Sequence, residues 1–133
     1  MTLADDLKKA KEEIQTRGRS IAVLVTKSGK CCPLGAIGIA TIPDFEEIYL
    51  SNTPSFPDRK DDAYYLLRAR KRAFRAVEAY ANEWPAEEHE PKDRRHALAN
   101  RVWHYNDRRH EGKWTSDEEI LAAFDRAIEK AES

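Results

Sequence analysis

Chemistry in this chain could begin at Cys31 and Cys32, its only cysteines, which are neighbours. Pro33 suits the first turn of a helix, so Cys32 stands just before a helix N-terminus, where the macrodipole and free amides lower a thiol pKa. His89, His96, His104 and His110 are candidate bases, and Asn106 or Asp107 a candidate orienting group, so a cysteine-dependent enzyme can be sketched. Against it, free cysteine is among the most buried residue types, and Cys-Pro-Leu-Gly-Ala is apolar. No nucleophile signature, dinucleotide fingerprint, phosphate loop or His-Glu-x-x-His motif occurs. Adjacent cysteines chelate zinc poorly, and the histidines lack helical pairing. The expectation is therefore no catalytic residue, no metal and no cofactor.

Binding chemistry concentrates in 61–84, which reads as the longest helix, closed by Pro85. On a helical wheel Leu66, Ala73, Phe74, Val77, Tyr80, Ala81 and Trp84 form an inward stripe. Arg68, Lys71, Arg72 and Arg75 gather on the opposite side, with Tyr64 and Tyr65 one turn earlier. Such a face could hold phosphates while the tyrosines stack on bases, or it could be a solvated face balanced by Glu78 and Glu83. Arg70 falls inside the apolar stripe, between Leu66 and Phe74. It snorkels, pairs with a carboxylate such as Asp44, Glu46, Asp107 or Asp125, or anchors a partner.

These residues need a scaffold, and 133 residues suffice for one domain, 1–133, with one modest core. Apolar residues make up 41% and charged residues 35%, too apolar for a disordered chain. Lysine and arginine total 23 against 24 acidic residues, a formal charge of -1, so no global field draws the molecule to nucleic acid or membrane. The longest apolar run, Ile21 to Val25, is far short of the roughly 20 residues that span a bilayer, and Met1 to Lys11 lacks a signal-peptide apolar region. With two unbridged neighbouring cysteines this predicts a cytoplasmic protein.

Thr2 and Asp5 can cap a first helix whose stripe is Leu3, Leu7, Ala10 and Ile14, with Gly18 as its stop. Ser20 to Thr26 reads as a short buried strand, turning at Lys27 to Lys30 towards a second strand or a helix. A brief helix follows at 34–41, where Gly35 and Gly38 let another backbone approach closely. Segment 42–60 reads as loop around a short strand Glu47 to Leu50. A fourth helix covers about 93–105, with Leu98, Val102 and Tyr105 on one stripe. Thr115-Ser116-Asp117-Glu118-Glu119 starts the last, whose inward face is Ile120, Leu121, Phe124, Ile128 and Ala131. The fold class expected is α+β, mostly α-helical: four to five helices around a small two-stranded element near residues 20–34.

The helix start Cys32-Pro33-Leu34-Gly35-Ala36-Ile37 and the turn Tyr105-Asn106-Asp107, followed by the helix begun at Thr115 or Ser116, resemble a small domain family of unknown function from actinobacteria and their phages. The motif positions are Cys32, Leu34, Gly35, Asn106 and Asp107. The aromatic of that turn is commonly tryptophan and is Tyr105 here, with Trp103 two residues earlier; segments 42–60 and 108–114 are longer. From the residues alone, Asn106-Asp107 reads as a structural corner, with asparagine in the left-handed conformation. The resemblance implies a phage or actinobacterial accessory protein with a host protein as target, and no activity. The function expected is non-enzymatic binding of a protein partner through the long helix and its flanking loops, with nucleic-acid binding by the basic face and cysteine catalysis as alternatives.

Overall fold

The computed structural model describes residues 2–21, 23–51, 67, 69–87, 90–107, 109–110 and 113–133. Among these, six helices carry the architecture: α1 (Leu3–Arg17), α2 (Pro33–Thr41), α3 (Phe45–Ser51), α4 (Lys71–Ala81), α5 (Arg94–Asp107) and α6 (Asp117–Glu132).

Helix α1 starts where Thr2 and Asp5 exchange reciprocal bonds: the Asp5 amide donates to Thr2 Oγ1 and the Thr2 amide to Asp5 Oδ2, each at 3.1 Å. It stops at Gly18, whose φ of 90° a residue with a Cβ adopts only under strain. Leu7, Ala10 and Ile14 are buried as the spacing predicts. Ser116 and Glu119 form the same reciprocal box at the start of α6. The two helices run antiparallel, with Lys8 on Glu132 at 3.0 Å and Lys11 on Asp125 at 2.6 Å.

The α+β expectation is corrected here, because the two-stranded element near residues 20–34 does not form. Arg19 and Val25 each make only an isolated bridge to Cys31. Leu24 and Val25 are buried, yet their segment is irregular, and its polar groups find scattered partners. The Ser20 amide donates to Cys31 O at 3.1 Å, the Cys32 amide to Leu24 O at 3.0 Å, and the Leu24 amide to the Tyr49 hydroxyl at 3.3 Å. With those bonds met, burial needs no ladder. Among the described residues the strand pairing is confined to β1 (Arg109–His110) and β2 (Lys113–Trp114), two residues each between α5 and α6 and too small to form a layer. The fold is helical.

Helix α2 is buried on almost every side, which makes it the central element. Gly35 lies on the Leu24 carbonyl and Gly38 on the Phe45 ring, so a Cβ at either would collide. The strand expected at Glu47 to Leu50 is instead part of α3. Asp44, at φ 61°, turns the chain into it, and Phe45 and Tyr49, one helical turn apart, stack with centroids 6.2 Å apart. That i, i+4 pairing requires a helix.

The helix expected over 61–84 is also corrected. Arg70 has extended backbone (φ -95°, ψ 117°), α4 begins at Lys71, and it ends at Ala81, before Trp84. Residues 61–66 and 68 lie outside the described residues. Arg101 of α5 supports the end of α4, donating from Nη1 to the carbonyls of Ala81 and Trp84 at 3.3 and 3.4 Å and pairing through Nε and Nη2 with Glu90. Orphan carbonyls are thereby met from a neighbouring helix. The Arg101 guanidinium in turn holds the Glu90 carboxyl below its usual range.

One buried cluster joins all six helices, from Leu7 and Leu34 through Phe45, Val77 and Leu98 to Phe124. The Tyr80 ring lies 4.1 Å from that of Phe124, and its hydroxyl donates to Ile120 O at 3.1 Å. Among the described residues no helix is long and apolar enough to cross a membrane.

Candidate functional site

The outer face of α4 comes from its steep division into apolar and charged sides. Ala73, Ala76, Val77 and Tyr80 are buried, whereas Lys71, Arg72 and Arg75 are exposed. Arg70 is exposed as well, which corrects its placement inside the apolar stripe: the stripe's phase starts only at Lys71, so Arg70 precedes the helix as its N-cap residue. Tyr64, Tyr65 and Arg68 lie outside the described residues.

Arg72 departs from its neighbours. Its Nε donates to Asp6 Oδ2 at 2.8 Å and its Nη2 to Asp6 Oδ1 at 2.5 Å, a two-pronged bond to a carboxylate only 2% exposed. That bond raises the Arg72 pKa. Asp6 was legible as unusual, since it falls between Leu3 and Ala10 on the apolar stripe of α1. No carboxylate among the described residues pairs with Arg70, Lys71 or Arg75. Beside them Arg95 lies over the Phe74 ring, 4.9 Å from its centroid, and Arg94 pairs with Glu78 at 2.5 Å. Both extend the face onto α5, a contribution absent from a reading of 61–84 alone.

Four of the five motif positions, Cys32, Leu34, Gly35 and Asn106, lie elsewhere, buried in the fold, and Asp107 is half-buried beside Asn106. Cys32 caps α2, its Sγ accepting from the Gly35 amide at 3.5 Å, and Leu34 and Gly35 are buried. Cys31 is fully buried, and the loss of solvent, then the neighbouring Cys32, pushes its thiol up to about 12. His104 is exposed on α5 while Cys32 is 2% exposed; His89 and the His110 side chain are outside the described set. Among the described residues no group of three His, Cys, Asp or Glu side chains could hold a metal ion.

Asn106 belongs to the last turn of α5, which corrects the left-handed corner expected there: among non-glycine described residues only Asp44 has positive φ. Its Nδ2 donates to Ser20 O at 3.0 Å and to Asp107 Oδ1 at 2.9 Å. Helix α5 thereby holds the irregular segment after α1. Arg19, next to that carbonyl, is nearly buried and pairs through Nε with Asp117 at 3.1 Å. Both motifs therefore secure the 19–32 segment: Cys32 and Gly35 from beneath Leu24, Asn106 at Ser20.

A helical protein with most of its motif residues buried and a cationic outer face is the class these features define. The chain belongs to the family of unknown function DUF6197, whose model matches residues 1–130. No curated protein and no solved structure matches the chain.

Proposed function

We propose that this protein is non-enzymatic and binds an acidic surface of a protein partner through the outer face of α4 and the loops flanking it. The observation that carries this reading is that Arg70, Lys71 and Arg75 are exposed with no counter-ion among the described residues, while their neighbours Arg72 and Arg94 are paired. Arginine beside aromatic side chains is the composition of interface hot spots, and Arg95 over Phe74 adds it here. Burial of both thiols weighs against the cysteine enzyme, and two thiols outside any disulfide fit a reducing, cytoplasmic setting. The two-motif resemblance supports an actinobacterial or phage origin and a host protein as target, an analogy rather than a physical argument.

The test is a triple charge reversal, Arg70→Glu with Lys71→Glu and Arg75→Glu, compared with wild type for species captured from the source organism's lysate. The helical circular dichroism should persist and a protein retained by wild type should be lost, with retention weakening as salt rises. Retention indifferent to the reversal refutes the proposal. Retention that nuclease abolishes replaces it with nucleic-acid binding, whose affinity falls steeply with salt.

A further inference from the structure

Away from the cationic face, the N-terminus of α1, the end of α4 and the last turns of α6 frame an open cavity of about 320 Å³. That volume is at the lower end of the range for small-molecule sites. Leu3, Ala79, Ala127 and Ala131 give it apolar walls, and Glu83 and Lys130 contribute the charge. The Glu83 side chain is 4% exposed, so its carboxylate is a buried anion. Arg126 Nε stands 3.2 Å from Oε1 and meets it with a hydrogen bond. Lys130 Nζ stands 2.8 Å from Oε2, yet Oε2 accepts no hydrogen bond, so the ammonium covers that oxygen at an unfavourable angle. Lys130 is 71% exposed, and a long exposed lysine is inexpensive to displace.

From this we infer that the cavity is a binding site for a small primary ammonium with an apolar body, which displaces Lys130 and places its own ammonium on Glu83 Oε2. A buried acceptor lacking its hydrogen bond favours a charged donor over a neutral one. Lys130, as the resident ammonium, shows that the position accepts this group. The apolar walls accommodate a short hydrocarbon chain, and a carboxylate ligand would face Glu83. None of Arg70, Lys71 and Arg75 of the outer face lines this cavity, so the inference stands or falls apart from the proposed function.

The probe is hexylammonium, titrated into the full chain while the resonances of Ala79, Ala127 and Ala131 are followed by NMR. Saturable shifts at those three residues are expected, with weaker ones from hexanol and none from hexanoate. Lys130→Ala should bind the probe more tightly, because the internal competitor is gone. Glu83→Gln should weaken binding by about tenfold or more, the scale of one charge-assisted hydrogen bond. Ala131→Leu fills the cavity without touching Glu83 and should do the same, which keeps the test decisive if Glu83→Gln does not fold. Absence of saturation, equal binding of hexanoate, or weaker binding by Lys130→Ala would overturn the inference.

Discussion

Replacing Arg72 by alanine removes the two-pronged counter-ion of Asp6 and leaves a carboxylate that is 2% exposed. Breaking a fully buried pair by deleting one member costs about 3 to 5 kcal/mol. Two features reduce that figure. The Arg72 side chain is 47% exposed, so water can occupy the space it vacates and solvate Asp6 in part. Asp6 also lies in the first turn of α1, where the helix dipole favours an anion by about 0.3 to 1 kcal/mol. The expected loss is therefore about 2 kcal/mol, or a fall in Tm of roughly 6 to 10 °C for a chain of this size. Urea unfolding followed by circular dichroism measures it, and Arg75→Ala, one turn along, should stay within about 0.5 kcal/mol of wild type. A double-mutant cycle with Asp6→Asn should return a coupling of about 1.5 kcal/mol or more. Arg72→Ala with wild-type stability, or a cycle that is simply additive, would refute the view that Arg72 belongs to the fold.

Gly35→Ala should destabilise by about 1 to 3 kcal/mol or more in urea, because the new methyl meets the Leu24 carbonyl rather than a movable side chain; unchanged stability would mean that segment 19–32 shifts freely. Asn106→Ala should cost about 1 to 3 kcal/mol through the unmet Ser20 carbonyl, and hydrogen exchange should quicken at 19–32 before it does in α6. Both cysteines should label with iodoacetamide far more slowly in the native protein than in urea; equal rates would revive cysteine chemistry. Because burial raises the folded Cys31 pKa from 9.0 to about 12, the unfolded chain releases this proton first and stability should fall as pH rises above about 9. Cys31→Ala should flatten that decline between about 9 and 10, short of the midpoint at which tyrosine ionises.

Features written in local chemistry were legible beforehand. The boxes at Thr2 and Ser116 and the stop at Gly18 each depend on a few consecutive residues, and the structure has them; Gly35 meets the Leu24 backbone as expected, whereas Gly38 meets the Phe45 ring and not a backbone. Features that depend on distant partners were not. Ile48-Tyr49-Leu50 has strand composition, but Gly38 leaves room for Phe45, and the Phe45–Tyr49 pair then demands a helix. The run Ile21 to Val25 also has strand composition, yet a strand requires a neighbour, and Cys31 supplies only single bridges. Continuing one wheel from 61 to 84 assumed unbroken helical phase, and the extended backbone of Arg70 removes that assumption. The same break explains the site residues. The outward placement of Lys71, Arg72 and Arg75 follows from local phase, whereas the Asp6 partner of Arg72, 66 positions away, follows from packing alone.

The antiparallel contact between α1 and α6 also bears on how the chain folds during synthesis. Lys11 meets Asp125 across 114 positions of sequence, so a ribosome adding about 5 to 20 residues per second separates the two by roughly 6 to 23 s. Until α4 emerges α1 can cover its apolar face only with α2, and from then on α2 and α4 share that task. The face that awaits α6 stays open to chaperones and to other nascent chains until the last helix leaves the exit tunnel. Synonymous changes that slow translation between α2 and α6 would therefore lengthen this exposure and lower soluble yield without altering one atom of the folded protein.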